Sequence, residues 1–173
     1  MIKQKQLVHE YLKNLNPKSV LDLGCGKGKK SLRFAEKGII VTGIDKKEIK
    51  INQKKFNFVQ QDIRDFKFEK QYDLIIASLV LHFFRKEKAI GIIKKMQKNT
   101  NHKGFNFLIC MSDKDDLSKE NPENFYPTLK ELKKLYGEWK IVKSTKDFTD
   151  YKEHGNLKLH RHNVIFLLLK KPF

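Results

Sequence analysis

Cysteine, proline, tryptophan and arginine are scarce in this 173-residue chain, at two, four, one and four residues. The two cysteines, Cys25 and Cys110, share no metal-ligand spacing, so they build neither a disulfide scaffold nor a zinc module. No apolar run approaches the roughly 18–20 residues that a membrane-spanning helix needs. The first residues lead into a polar helical pattern, not into the apolar stretch of a signal peptide. Neither a membrane span nor secretion is expected, and a reducing cytoplasm is the expected compartment. A chain of this length can bury about 68–70% of its unfolded surface. One domain, 1–173, with a single core is expected.

Acidic residues are also outnumbered, 20 against 37 lysines and arginines, leaving a formal net charge of +17. Such a charge suits a polyanionic partner. Its composition argues otherwise, because arginine, the bidentate partner of phosphate and reader of bases, is nearly absent. The lysines are spread along the whole chain among many Ile, Asn and Phe. A solvated lysine surface is the preferred reading and nucleic-acid binding the alternative.

The apolar pattern alternates between two periods. Leu7, Val8, Tyr11, Leu12 and Leu15 recur at helical spacing, predicting a helix over 2–15 that stops before Asn16-Pro17. Ser19–Leu23 reads as a strand, followed by Gly24-Cys25-Gly26-Lys27-Gly28 and a helix closed by Gly38. A second strand over 39–44 ends at Asp45, a lysine-rich helix is expected to about 55, and a third strand over 56–60 ends at Gln61-Asp62. Residues 72–77 form the continuous apolar run of a strand buried on both faces. Ala89, Ile92, Ile93 and Met96 mark an amphipathic helix. Residues 105–111 supply a fifth strand. Residues 113–127 are polar, carry Pro122 and Pro127, and read as a long irregular loop of the kind that covers sites. A helix over 128–136 and strands over 139–145 and 164–170 complete the chain, with a polar loop near 151–158.

Alternating strands and helices predict an α/β fold: a Rossmann-like, doubly wound, mostly parallel seven-stranded sheet with helices on both faces. The last two strands have no helix between them and should form an antiparallel edge pair. In such sheets ligands bind beyond the carboxyl ends of the strands. Asp22 with the glycines, Asp45, Asp62 and residues 78–84 all fall there. A ribose diol wants a carboxylate acceptor, an adenine amine another, and a bare glycine backbone lets a ligand approach closely. An adenosine-containing ligand fits. The glycines run G-x-G-x-G, with Lys29 where a dinucleotide fingerprint places its third glycine. Asp45 or Asp62 as helix N-caps is the competing explanation.

The run Val20-Leu21-Asp22-Leu23-Gly24-Cys25-Gly26-Lys27-Gly28 resembles the first motif of class I S-adenosylmethionine (SAM)-dependent methyltransferases. Asp45, Gln61-Asp62-Ile63 and Tyr72-Asp73-Leu74-Ile75-Ile76-Ala77-Ser78 resemble their later motifs, in order. Met96-Gln97, Gly104 to Ile109 and the C-terminal strand look most like tellurite-resistance (TehB-type) and related small-molecule methyltransferases.

The resemblance implies that Asp22, Gly24, Cys25 and Gly26 cradle the methionine part of SAM, with the Asp22 carboxylate helping to hold its ammonium. Asp45 would accept the ribose hydroxyls and Lys46 lie against the adenosine. Asp62 would accept from the adenine amine and the Ile63 amide face the ring. The carbonyl of Ser78 or Leu79 would reach the ammonium. S-adenosylhomocysteine would be the product.

On the acceptor side, His82 would face the reacting sulfur as the candidate base, with Phe83 or Phe84 lining the pocket. His160, Arg161 and His162, expected at the start of the last strand, are further acceptor-side candidates, with Arg161 suited to an anion. Without a third ligand at suitable spacing, no metal is expected. TehB-type relatives usually carry a covering segment before the first helix, so that role is expected of 113–127 here. The leading expectation is methyl transfer to a small acceptor such as a thiol or chalcogen oxyanion. RNA methylation and a non-catalytic SAM-binding module are the alternatives.

Overall fold

The computed structural model describes residues 4–154 and 157–173, so Ile2 and Lys3 of the expected first helix lie outside the described residues. Seven strands make one sheet: β1 (Ser19–Leu23), β2 (Ile40–Asp45), β3 (Phe56–Gln60), β4 (Tyr72–Ser78), β5 (Thr100–Met111), β6 (Lys140–Phe148) and β9 (Asn163–Lys170). Their order is β3-β2-β1-β4-β5-β9-β6. The first five run parallel, and β9 is antiparallel to both β5 and β6. The expected antiparallel pair is present, but β9 is inserted between β5 and β6, which leaves β6 alone at the edge.

Side-chain alternation along each strand sorts the core into two layers. Leu21, Leu23, Ile75 and Ala77 point to the face covered by α3 (Lys86–Lys98) and α5 (Leu129–Tyr136). Val20, Leu74, Ile76 and Phe107 point to the face covered by α1 (Gln4–Leu12) and α2 (Leu32–Glu36). The helices keep to those faces because their apolar residues repeat at 3–4 positions. Tyr11 anchors α1 by donating to Thr145 Oγ1 at 2.9 Å while its ring packs on Phe107 and Phe166. A capping box starts α5, with Thr128 Oγ1 accepting from the Glu131 amide and the Glu131 carboxylate accepting from the Thr128 amide.

Three expectations about local structure are corrected. Residues 46–55 form bends and a turn, not a helix. Ile49 and Ile51 are two apart, so a helix could not bury both on one stripe, and five lysines would crowd its surface. Ile51 instead packs beside Gly28. The expected loop near 151–158 contains β7 (Lys152–His154) and β8 (Leu157–His160), which pair antiparallel as a separate ladder. His160 therefore ends β8, and the last strand starts at Asn163. The 113–127 stretch holds a short helix, α4 (Leu117–Glu120), and is pinned where the Phe125 amide donates to the Phe84 carbonyl.

Strand order reverses beside β1, whose neighbours are β2 on one side and β4 on the other. Their connections leave in opposite directions and open a crevice at the carboxyl tips.

Candidate functional site

That crevice is a cleft of about 500 Å³. Gly24 and Gly26 form its floor, Asp45, Lys46, Asp62 and Ile63 one wall, and Leu79, Val80, Phe83 and Phe84 the other. Both glycines have positive φ, +66° and +52°, which side chains rarely adopt. A Cβ on Gly24 would lie 2.4 Å from Val80 Cγ2, whereas one on Gly26 would meet no protein atom within 4 Å. The Gly26 backbone is bare towards open space, as close approach of a ligand requires.

Asp45 stands at the tip of β2 without capping any helix. Its Oδ2 accepts from the Gly26 amide at 2.9 Å and its Oδ1 from the Lys47 amide at 3.0 Å. Each oxygen retains a lone pair for a further donor. Asp62 is gripped by Arg64, a residue not singled out in the sequence. The Arg64 side chain donates to both carboxylate oxygens, at 3.0 and 2.7 Å, and its amide donates to Oδ1 at 2.8 Å. Hydrogen bonding from Arg64 holds the Asp62 carboxyl below the usual carboxylate range. Only Arg64 itself could have signalled this, two residues after an acid at a strand tip.

Three residues expected at the cofactor are set back from the cleft. Asp22 is buried under the glycine loop and accepts from Ser31 Oγ at 2.6 Å. Burial pushes its carboxyl up to about 6, with the Ser31 hydrogen bond opposing that rise. The Cys25 side chain is buried, and burial first, then Asp22, push its thiol up. Ser78 is buried and its Oγ has no hydrogen-bond partner among the described residues. Leu79 has φ +52° and donates its amide to the Ile109 carbonyl at 2.8 Å.

A second cleft of about 550 Å³ lies across Leu79 and Phe83, which line both. His82 faces this second cleft, with its ring 4.1 Å from that of Phe83. Its Nδ1 is buried with no partner among the described residues, and burial first, then His162, lower its pKa to about 4. His160 and His162 join it, their rings 4.9 Å apart and nearly perpendicular. Arg161 is directed elsewhere: its guanidinium lies over Phe148 at 3.9 Å and near Tyr151 at 5.1 Å. Asn121, Asn124 and Tyr126, from the stretch expected to cover the site, form part of the wall.

The sequence reading also missed Asp115. This carboxylate is 2% exposed, lies 3.2 Å from His162 Nδ1 through each oxygen, and accepts from the Asn163 amide at 2.7 Å. Among the described residues no group of three His, Cys, Asp or Glu is arranged to hold a metal ion.

The cleft fits an adenosyl sulfonium such as SAM. It offers a bare glycine backbone, a carboxylate with spare lone pairs at the second strand tip and an apolar wall opposite.

Comparison with known proteins agrees with that fit. The family model described as tellurite resistance protein TehB matches residues 1–164. A probable SAM-dependent methyltransferase TehB of Haemophilus influenzae (strain ATCC 51907 / DSM 11121 / KW20 / Rd) is 31% identical over 156 residues, 83% of this chain and 54% of that protein. This chain thus spans about half the length of that relative. The crystal structure of TehB from Haemophilus influenzae superposes with a TM-score of 0.79 at 27% identity, covering 95% of this chain and 61% of that one. The N-methyltransferase NodS of Bradyrhizobium japonicum WM9, solved with S-adenosylhomocysteine, gives 0.74 at 16% identity over 98% of this chain and 85% of its own, a likeness of fold alone. The α/β sheet, the glycine loop and the family match converge, and the chain belongs to the TehB family.

Proposed function

We propose that this chain is a SAM-dependent methyltransferase that holds SAM in the glycine-floored cleft and a small-molecule acceptor in the cleft beside it. The observation that carries the reading is the shared wall. Leu79 and Phe83 line both clefts, so a donor in one and an acceptor in the other would meet across them. Cavities of this size suit small molecules.

In this reading the backbone of Gly24 and Gly26 receives the methionine part, and the Leu79 carbonyl, left over after its amide is used, faces the ammonium. Asp45 accepts the ribose hydroxyls, Lys46 lies against the adenosine, and Asp62, held by Arg64, accepts the adenine amine beside the Ile63 amide. Asp22 braces the glycine loop through Ser31 and does not touch the ligand. SAM supplies an electrophilic methyl group on a sulfonium. The chain's own contribution is alignment and exclusion of water, which carry most of the rate gain in a displacement of this kind.

Calorimetric titration tests the donor site. S-adenosylhomocysteine and SAM should bind and raise the melting temperature, by about 2.7 kcal/mol of stabilisation at 100 times the dissociation constant. NAD binding as tightly as SAM would overturn the reading. A screen with methyl-labelled SAM against thiol, oxyanion, amine and RNA pools then identifies the acceptor.

A further inference from the structure

Phe83 differs from the other residues around the two clefts in that its side chain is left in the open. It closes the 3-10 turn (Leu81–Phe83), in which Leu81 and His82 are 1% and 6% exposed and Phe83 is 71% exposed. The turn holds it by the backbone, with the Phe83 amide donating to the Val80 carbonyl at 3.2 Å. Phe84, the next residue, packs against the core instead. A single exposed apolar side chain is ordinary on a protein surface. Phe83 is set apart by its place: among the described residues only it and Leu79 line both clefts, and it is the aromatic one of the pair.

The charges around it give that place a meaning. The first cleft is lined by Lys46, Lys47 and Arg64 against Asp45 and Asp62, so it has no surplus of negative charge for a cationic ligand. Both carboxylates already accept hydrogen bonds, Asp45 from the Gly26 and Lys47 amides and Asp62 from Arg64. The shared wall, Leu79 and Phe83 with Val80 and Phe84 beside them, carries no ionised side chain. A sulfonium against this wall meets no carboxylate on it, and the negative face of an aromatic ring is the side-chain group there that attracts a cation. The imidazole beside the Phe83 ring, 4.1 Å away, is kept neutral by the burial of His82, so it does not compete for the ring as a second cation.

We propose that Phe83 is the residue that distinguishes SAM from S-adenosylhomocysteine, its ring attracting the sulfonium charge where the two clefts meet. This rests on reading the adjoining clefts as donor and acceptor sites, since the transferred methyl group then has to pass at their junction. On transfer, a lone pair of the acceptor forms the new bond to the methyl carbon, and the electron pair of the breaking carbon–sulfur bond stays on sulfur. The sulfonium becomes a neutral thioether, and the attraction to the ring is lost with the charge. Apolar contact alone remains, so the ring favours the loaded donor over its spent product and eases their exchange.

The test compares the affinities of the two ligands by calorimetry, with no acceptor present. Phe83→Leu, which keeps an apolar side chain without the aromatic face, should weaken SAM about 5- to 30-fold and S-adenosylhomocysteine by no more than about twofold. Phe83→Tyr should keep the wild-type preference. Site-specific replacement of Phe83 by phenylalanines of increasing fluorination withdraws negative charge from the ring face at nearly constant shape. SAM affinity should fall stepwise along that series while S-adenosylhomocysteine affinity stays level. Equal losses for both ligands in Phe83→Leu, or a fluorination series that leaves SAM binding unchanged, would overturn the assignment and make Phe83 an apolar contact only. Failure of the wild-type chain to bind S-adenosylhomocysteine would instead refute the donor-site reading beneath it.

Discussion

The Asp45 carboxylate and the Gly26 amide are joined by a 2.9 Å hydrogen bond that ties the tip of the second strand to the glycine loop. One side chain thus shapes the cleft floor and presents acceptor lone pairs above it. Replacing it removes both. Asp45→Ala should weaken S-adenosylhomocysteine binding about 10- to 150-fold, the loss expected for charge-assisted hydrogen bonds of roughly 1.5–3 kcal/mol. Isothermal calorimetry reads the affinity, and a melting curve beside it separates binding from folding. Unchanged affinity with a large fall in melting temperature would make Asp45 purely a brace.

The two glycines of the floor should respond differently to a methyl group. Gly24→Ala drives a Cβ to within 2.4 Å of Val80 Cγ2 in addition to its positive φ, so it should destabilise the fold and disrupt the cleft together. Gly26→Ala meets no protein atom within 4 Å. Its stability cost should be about 1 kcal/mol, from the backbone alone. Its affinity loss should be disproportionate, because the added methyl stands where the ligand's backbone contact would be. Chemical denaturation and ligand titration on the same two variants check the contrast.

Asp22 should leave a signature in the pH dependence of stability. Its folded carboxyl is raised to about 6 by burial, so between about pH 4 and 6 the folded state holds the proton that the unfolded state has released. The contribution of this group is present below the unfolded value and is lost as pH rises through the folded one. Asp22→Asn, which keeps an oxygen for Ser31, should gain stability over wild type by about 2–3 kcal/mol between pH 4 and 7. Denaturation curves that stay parallel across that range would show that Asp22 is ionised in the fold.

The lysine excess is expected to be a solvated surface. RNA should then bind weakly and without sequence preference, with a dissociation constant of about 10⁻⁴–10⁻⁶ M near physiological salt. Turnover of a small acceptor should barely change between about 50 and 200 mM salt, by the same reasoning. RNA-dependent turnover that collapses by about 10³–10⁵-fold over that range, and is lost on neutralising Lys5, Lys29 and Lys30 together with Lys3, which lies outside the described residues, would establish a polyanionic acceptor.

Much of the glycine-floored cleft was legible before any tertiary structure. Its groups sit at the ends of strands, and a strand end is written locally: an apolar run such as Tyr72–Ser78 stops where the chain turns polar. Gly24, Gly26, Asp45 and Asp62 could be placed on one edge from the alternation of periods alone, because a parallel sheet brings its carboxyl tips together, and Ile63 was added by the family resemblance. Which acids look into the cleft was not local. Asp22 faces Ser31, nine residues later, and Asp62 is claimed by Arg64, outcomes of side-chain rotamers and burial that no periodicity encodes.

The sequence by itself determined the sheet order's ingredients, the glycine loop and the acids that follow the strands, since backbone propensity and apolar spacing act over a few residues. Only the tertiary structure decided the second cleft. His82, Asp115 and His162 are separated by 33 and 47 positions and are brought to one cleft because β9 inserts antiparallel between β5 and β6, placing the start of β9 at the tip of β5. Met111 pairs with Val164 in that register, so Asp115 just beyond the one and His162 just before the other are brought side by side. Contacts of that range arise from strand pairing and burial summed over the whole fold, and no local run of residues announces them.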